Sequence, residues 1–238
     1  LLTVFLLTMG AVLSRHAPRR ETRAIAIGHA AMAVCAAIAA SALAGGAAGD
    51  AAQALDGWIT GSTATVTMLA PLAVLALALV LALPEVESGH RTVSQSLLLP
   101  ALVVASLLAG NIAVIVVLDI VLALVTSHAT EERARKAQLV VRGAGVALVV
   151  AGLAALPTDL WFAPVARANA AVGLAPAGLM LAGVGLQLGI GPASLGLRAA
   201  MCSGMTARAL LSALPLGGMA LLMRVAGPTF AAAAGPQL

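Results

Sequence analysis

"SLLLPALVVASLLAGNIAVIVVLDIVLALVT", residues 96–126, holds two apolar runs separated by little more than Ala109, Gly110 and Asn111. Leu, Val, Ile and Ala follow one another without the polar alternation of a barrel strand, so both runs read as helices. A connector this short turns the chain back on itself as a tight antiparallel hairpin. One acid, Asp119, interrupts the second run near its middle.

The rest of the chain repeats the pattern. Hydrophobic residues make up 61% of the 238 and charged ones 9%, and the mean hydropathy is +1.07. These values exclude soluble enzyme classes and imply an all-α polytopic membrane helix bundle. A helix of about 20 apolar residues crosses the roughly 30 Å hydrocarbon layer. Apolar runs at 1–14, 24–45, 62–83, 95–109, 111–126, 138–157, 170–190 and 207–226 predict about eight transmembrane helices. The pair at 95–109 and 111–126 is short for a bilayer; it either reaches into the interface or sits where neighbouring subunits thin the membrane.

Charge placement orients these spans. With the first connector in the cytoplasm, Arg15, Arg19, Arg20, Arg23, Arg91, Arg133, Arg135, Lys136, Arg198 and Arg208 share that side. Arg142 lies about one turn inside the sixth span near it, and only Arg167 and Arg224 oppose the positive-inside rule. Both termini are then expected outside a bacterial-type cytoplasmic membrane, with Trp58 and Trp161 at the outer headgroup level. The chain opens already apolar at Leu1, with its basic cluster after the first run, so an earlier start is expected.

Other chemistries lack their residues. Cys35 and Cys202 are far apart and show neither metal-ligand spacing nor a disulfide framework. Of the four histidines, His29 enters a span while His16, His90 and His128 fall in connectors, so a two-histidine haem site has no second ligand. Phosphate loops, nucleophile elbows and paired catalytic carboxylates are missing. No cofactor or metal is expected. The high pI does not imply nucleic acid, because topology accounts for the arginines.

The polar groups left in the apolar runs are the candidate site. Asp119 is costly in a membrane helix, by about 2.5–3.5 kcal/mol on insertion scales, and calls for a partner or a hydrated cavity. It reads either as a protonatable relay or as helix-packing glue. Gln187, near the inner end of the seventh span, can only hydrogen-bond. Pro192 removes a backbone donor and disfavours helix at Gly191, so "GIGP" predicts a broken seventh helix.

Residues 186–224, "LQLGIGPASLGLRAAMCSGMTARALLSALPLGGMALLMR", resemble a segment of the antiporter-like, proton-conducting subunits. That family is shared by respiratory complex I, multisubunit sodium/proton antiporters, energy-converting hydrogenases and bicarbonate-accumulating membrane complexes. Gln187 stands where the family has the lysine of its broken seventh helix, and Pro192 is retained. Ser194, Gly196, Arg198 and Ala199 replace the family's histidine, tryptophan, proline and aspartate. Residues Ser212 to Leu214 and Arg224 match the eighth helix, but Leu216 stands where the second lysine would be. Asp119 occupies the place of the fifth-helix glutamate. The resemblance covers about residues 95–226, while residues 1–94 agree only in hydropathy.

The resemblance implies three leading helices in 1–94 and a single five-helix repeat in 95–238, without the second, inverted repeat. In the family the acid and the lysine form the charged pair that gates proton movement. With both lysine positions replaced, the implied path is incomplete. The expected function is a non-catalytic membrane subunit of a proton-translocating or energy-coupling complex, NADH dehydrogenase-like or related, that scaffolds or anchors. Its expected partners are other integral membrane subunits, a peripheral cytoplasmic subunit and the lipid bilayer. The alternative is proton or sodium transport through this subunit, using Asp119.

Overall fold

The computed structural model describes residues 1–46, 63–83, 89–127, 132–162, 173–188, 218–219 and 221–226. These form helices and no extended strand. In chain order they are α1 (Leu2–His16), α2 (Arg19–Gly46), α3 (Thr63–Ala82), α4 (His90–Leu108), α5 (Ile112–Ser127), α6 (Glu132–Ala154), the single turn α7 (Thr158–Trp161) and α8 (Leu174–Gln187). A π-helical turn follows at Leu222–Ala226.

Local chemistry sets the boundaries. Pro18 disfavours helix at Ala17, which is extended and ends α1. The Pro18 carbonyl then accepts from the Glu21 and Thr22 amides as α2 begins, and Glu21 favours the positive pole of that helix. Asn111 caps α5, its Oδ1 accepting from the Val114 amide at 2.9 Å. Past α6, the Trp161 indole donates to the Leu156 carbonyl at 3.3 Å and closes the turn of α7. Pro71 and Pro100 lie inside α3 and α4 without ending them.

The helices alternate in direction. At one end, the Arg23 guanidinium of α2 donates to the Leu81 carbonyl of α3. Ser14 at the end of α1 bonds the Thr22 carbonyl near the start of α2. Arg15 of α1 and Val125 of α5 line one cavity there with the first turns of α4. At the other end, the Ser41 hydroxyl of α2 reaches the Val66 carbonyl of α3. The basic residues Arg15, Arg23 and Arg91 therefore share one end of the bundle.

Two apolar cores result. The first packs α1 to α4 with Leu122 of α5, and α2 contributes a stripe of alanines, Ala26, Ala30, Ala33 and Ala37. The second joins α5, α6, α7 and α8 with Ala109 and Leu221. Its tightest seam is α6 against α8, where Gly145 and Gly183 face each other. A methyl group added to Gly145 would lie 2.9 Å from the Gly183 carbonyl oxygen, and one added to Gly183 would lie 2.6 Å from that of Gly145.

Two of these helices, over Arg19–Leu43 and His90–Leu108, are long and apolar enough to cross a membrane. The apolar stretches Leu2–His16, Val66–Ala82, Ile112–Thr126, Leu139–Ala154 and Leu174–Gln187 are shorter. A 15-residue helix rises about 22 Å, less than the roughly 30 Å of a hydrocarbon core, so the described residues do not carry the count of eight crossings. α4 reaches its length by starting at His90, which the sequence reading assigned to a connector. His90 and Arg91 form its first turn, with Arg91 turned to the exterior. Gly191 and Pro192, the expected helix break, lie outside the described residues, as does most of the eighth span.

Gly145→Val and Gly183→Val are each expected to destabilise the protein by about 1–3 kcal/mol or more, since the obstructing atoms are backbone. Gly143→Ala, where an added methyl meets nothing within 4 Å, is expected to be neutral or slightly stabilising. Thermal unfolding of the three variants in mild detergent distinguishes these outcomes.

Candidate functional site

The capped start of α5 places Asp119 at mid-helix, where it is 5% exposed. Every residue from Ile112 to Leu118 is apolar, so the carboxylate depends on other helices for partners. α8 supplies one. The Gln187 side-chain amide donates to Asp119 Oδ2 at 2.6 Å. The glycine seam makes this reach possible, because a methyl group at Gly145 would come within 3.0 Å of Gln187 Cγ. The Gln187 side chain thus passes over α6 at the position where α6 has no side chain.

α6 supplies the counter-charge. Arg142, three residues before Gly145, is 8% exposed and interacts coulombically with Asp119. Its Nη1 also donates to the Thr126 hydroxyl oxygen at 3.3 Å. That hydroxyl sits 2.9 Å from the Leu122 carbonyl oxygen and 3.0 Å from that of Ala123, to which it donates. Asp119, Ala123 and Thr126 follow the spacing of one helix face. The site is therefore an acid on α5, an amide from α8 and a guanidinium from α6, joined through a hydroxyl to the backbone of α5.

The structure brings together Asp119 and Gln187, the two ion-path candidates taken from the sequence. Arg142 was read there only as a marker of topology, and Thr126 was not singled out. A signal for the Arg142 pairing was present. Asp119 lies eight residues before the end of α5 and Arg142 ten residues after the start of α6. At 1.5 Å per residue these are depths of about 12 Å and about 15 Å from the intervening connector. One anion and one cation at matched depth on consecutive apolar helices are expected to pair. Arg224, which opposed the charge rule, donates from the π-turn to the Ala109 carbonyl at the end of α4 at 2.7 Å. It ties the last described segment to the α4–α5 hairpin.

The donor set limits the chemistry. Among the described residues no group of three or more His, Cys, Asp and Glu side chains could hold a metal ion. Gln187 neither takes up nor releases a proton, and an arginine guanidinium does not deprotonate in proteins. The cluster can fix three helices against one another and orient a carboxylate. A scan against protein-family models finds no match, and no curated protein sequence matches the chain.

Removing one of two buried groups of opposite charge leaves the other less compensated, at a cost that reaches about 3–5 kcal/mol where the two are in direct contact. Asp119→Asn and Arg142→Met are each expected to lower the melting temperature. The double variant is expected to recover much of the loss. Purely additive losses in that cycle would show that the two groups do not act as a pair.

Proposed function

We propose that this chain is a membrane subunit of a multisubunit proton-translocating or energy-coupling complex related to the antiporter-like family. In this reading it scaffolds or anchors and does not itself conduct. The observation that carries the second half is the pairing of Asp119 with Gln187 and Arg142, which gives the acid partners suited to holding helices together. The family assignment rests on the sequence resemblance over residues 95–226.

Apolar side chains on the outer faces support the membrane setting. Val117, Val121 and Leu124 of α5 follow helical spacing and are exposed, as are Phe5 and Val12 of α1 and Ile38 and Leu43 of α2. A helix apolar on both its buried and its outer face suits lipid or another membrane helix as neighbour. On this reading the chain is multi-pass, with about eight spans completed by residues beyond those described. Its basic end faces the cytoplasm and its termini face outward. Other integral subunits cover the outer faces, a peripheral subunit docks at the basic end, and any redox chemistry belongs to those partners.

Two measurements test the proposal. Purification in mild detergent is expected to bring other membrane subunits with the native chain, and to bring fewer with Asp119→Ala. In proteoliposomes the chain alone is expected to pass protons or sodium no faster than Asp119→Asn does. If Asp119→Asn leaves the complex intact and abolishes ion movement, the scaffold reading fails and transport through Asp119 replaces it.

A further inference from the structure

The corner between α1 and α2 carries a feature separate from the Asp119 cluster and independent of the antiporter-like resemblance. Arg15, His16, Arg19 and Arg20 fall within six residues of sequence there, and all four are exposed. Glu21 is the one acid between Arg15 and Arg23. None of the four basic side chains makes a hydrogen bond or an ion pair among the described residues. Like charges gathered at one exposed corner repel one another, and an anionic partner relieves that repulsion.

The backbone beneath these charges is held in place. The Ala17 amide donates to the Leu13 carbonyl at 2.9 Å, and the Pro18 carbonyl accepts from the Glu21 and Thr22 amides at 2.9 and 3.1 Å. The Ser14 hydroxyl reaches across to the Thr22 carbonyl at 3.4 Å. The end of α1 is therefore bonded to the first turns of α2, and the basic residues on either side of Pro18 stay together. Charges brought together before binding cost less entropy to gather around one anion.

Both helices continue from this charge into an apolar outer face. On α1, Phe5, Met9, Val12 and His16 recur at helical spacing, and the three apolar ones are 57%, 37% and 53% exposed. On α2, Arg20 shares a face with Ala24 and Ala31, which are also exposed. At 1.5 Å per residue, His16 lies about 6 Å beyond Val12, and Arg20 about 6 Å before Ala24. That is the step from hydrocarbon to headgroup level, across which an arginine stem extends along apolar surface while its guanidinium stays in the polar layer. An acidic soluble protein would use the charge and leave the apolar face uncovered. An amphiphile with a negative head matches both.

We infer that the α1–α2 corner is a docking surface for an anionic phospholipid, with the Arg19 and Arg20 guanidiniums on its headgroup and its acyl chains against the exposed apolar side chains of the adjoining turns. The inference rests on the membrane setting proposed above. Arginine matches a phosphodiester by paired N–H contacts, and basic clusters beside membrane helices on the cytoplasmic side attract anionic headgroups. The apolar turns make the lipid, and not its free headgroup, the ligand.

The test gives the full chain, in mild detergent, equal amounts of phosphatidylglycerol and phosphatidylcholine and reads bound lipid by native mass spectrometry. Native protein is expected to retain phosphatidylglycerol preferentially. Arg19→Gln/Arg20→Gln is expected to bind it about tenfold more weakly, while Lys136→Gln, which removes an exposed charge from α6, binds it as native protein does. Should the double variant misfold, the preference of native protein is expected to fall as salt is raised, and a preference indifferent to salt overturns the inference. It is also overturned if phosphatidylcholine binds equally well, if the double variant keeps the preference, or if Lys136→Gln loses as much. Loss of an acidic co-purifying subunit from the double variant, with lipid binding unchanged, would assign the corner to a protein partner instead. Release of the chain from membranes by alkaline carbonate would show that the membrane setting itself is wrong, and the inference would fall with it.

Discussion

A carboxylate midway along an apolar helix cannot be accommodated by that helix alone. Asp119 has only apolar residues on its N-terminal side in α5, and a buried charge without partners costs several kcal/mol. Its neighbours therefore have to come from other helices, and they must come close. α8 does so because Gly145 and Gly183 let two backbones touch, and that approach brings Gln187 within 2.6 Å of the acid. Arg142, on the same helix as Gly145, brings the opposite charge. Close packing and charge compensation thus support each other: without the glycines the amide falls short, and without the amide and guanidinium the acid drives the helices apart.

Two parts of the bundle are built on different chemistry. Around the second core, small residues and one charged cluster hold α5, α6 and α8 at close range. At the basic end, Ser14, Thr22 and His90 join α1, α2 and α4 through hydroxyls, a ring nitrogen and main-chain carbonyls. Hydrogen bonds to carbonyls near helix ends suit a region where the backbone ladder is incomplete. They fix the corner where Arg15 and Arg91 line one cavity.

How much of this was legible in the sequence depended on whether the signal was local. The helices and the α4–α5 hairpin followed from continuous apolar runs and a three-residue connector. The start of α4 was misplaced because His90 and Arg91 look like connector residues, although a helix continues through polar residues whenever they lie in its first turn or face outward. Proline was an equally incomplete guide. Pro71 and Pro100 remain inside helices, where surrounding apolar packing holds the chain helical despite a missing donor. The glycine content announced close packing but not which glycines meet, since that depends on the placing of α8 against α6. Asp119 and Gln187 stood out as polar residues in apolar runs. Arg142 did not, because a topology rule already accounted for it.

The same cluster bears on the choice between a relay and a lock. A relay needs neighbours that exchange protons with the carboxylate in both directions. Around Asp119, the amide of Gln187 and the guanidinium of Arg142 do not exchange them, and the Thr126 hydroxyl proton is directed at the carbonyls of Leu122 and Ala123. What these groups can do is hold position. Opposite charges on neighbouring helices of one core favour one register among the many that Leu, Val and Ala surfaces would accept, because a slip leaves a charge without its partner. In a bundle whose outer faces are also apolar, this cluster is the most selective contact among the described residues. Register fixed from within would present the same outer surface on every copy, which is what the proposed anchoring role needs.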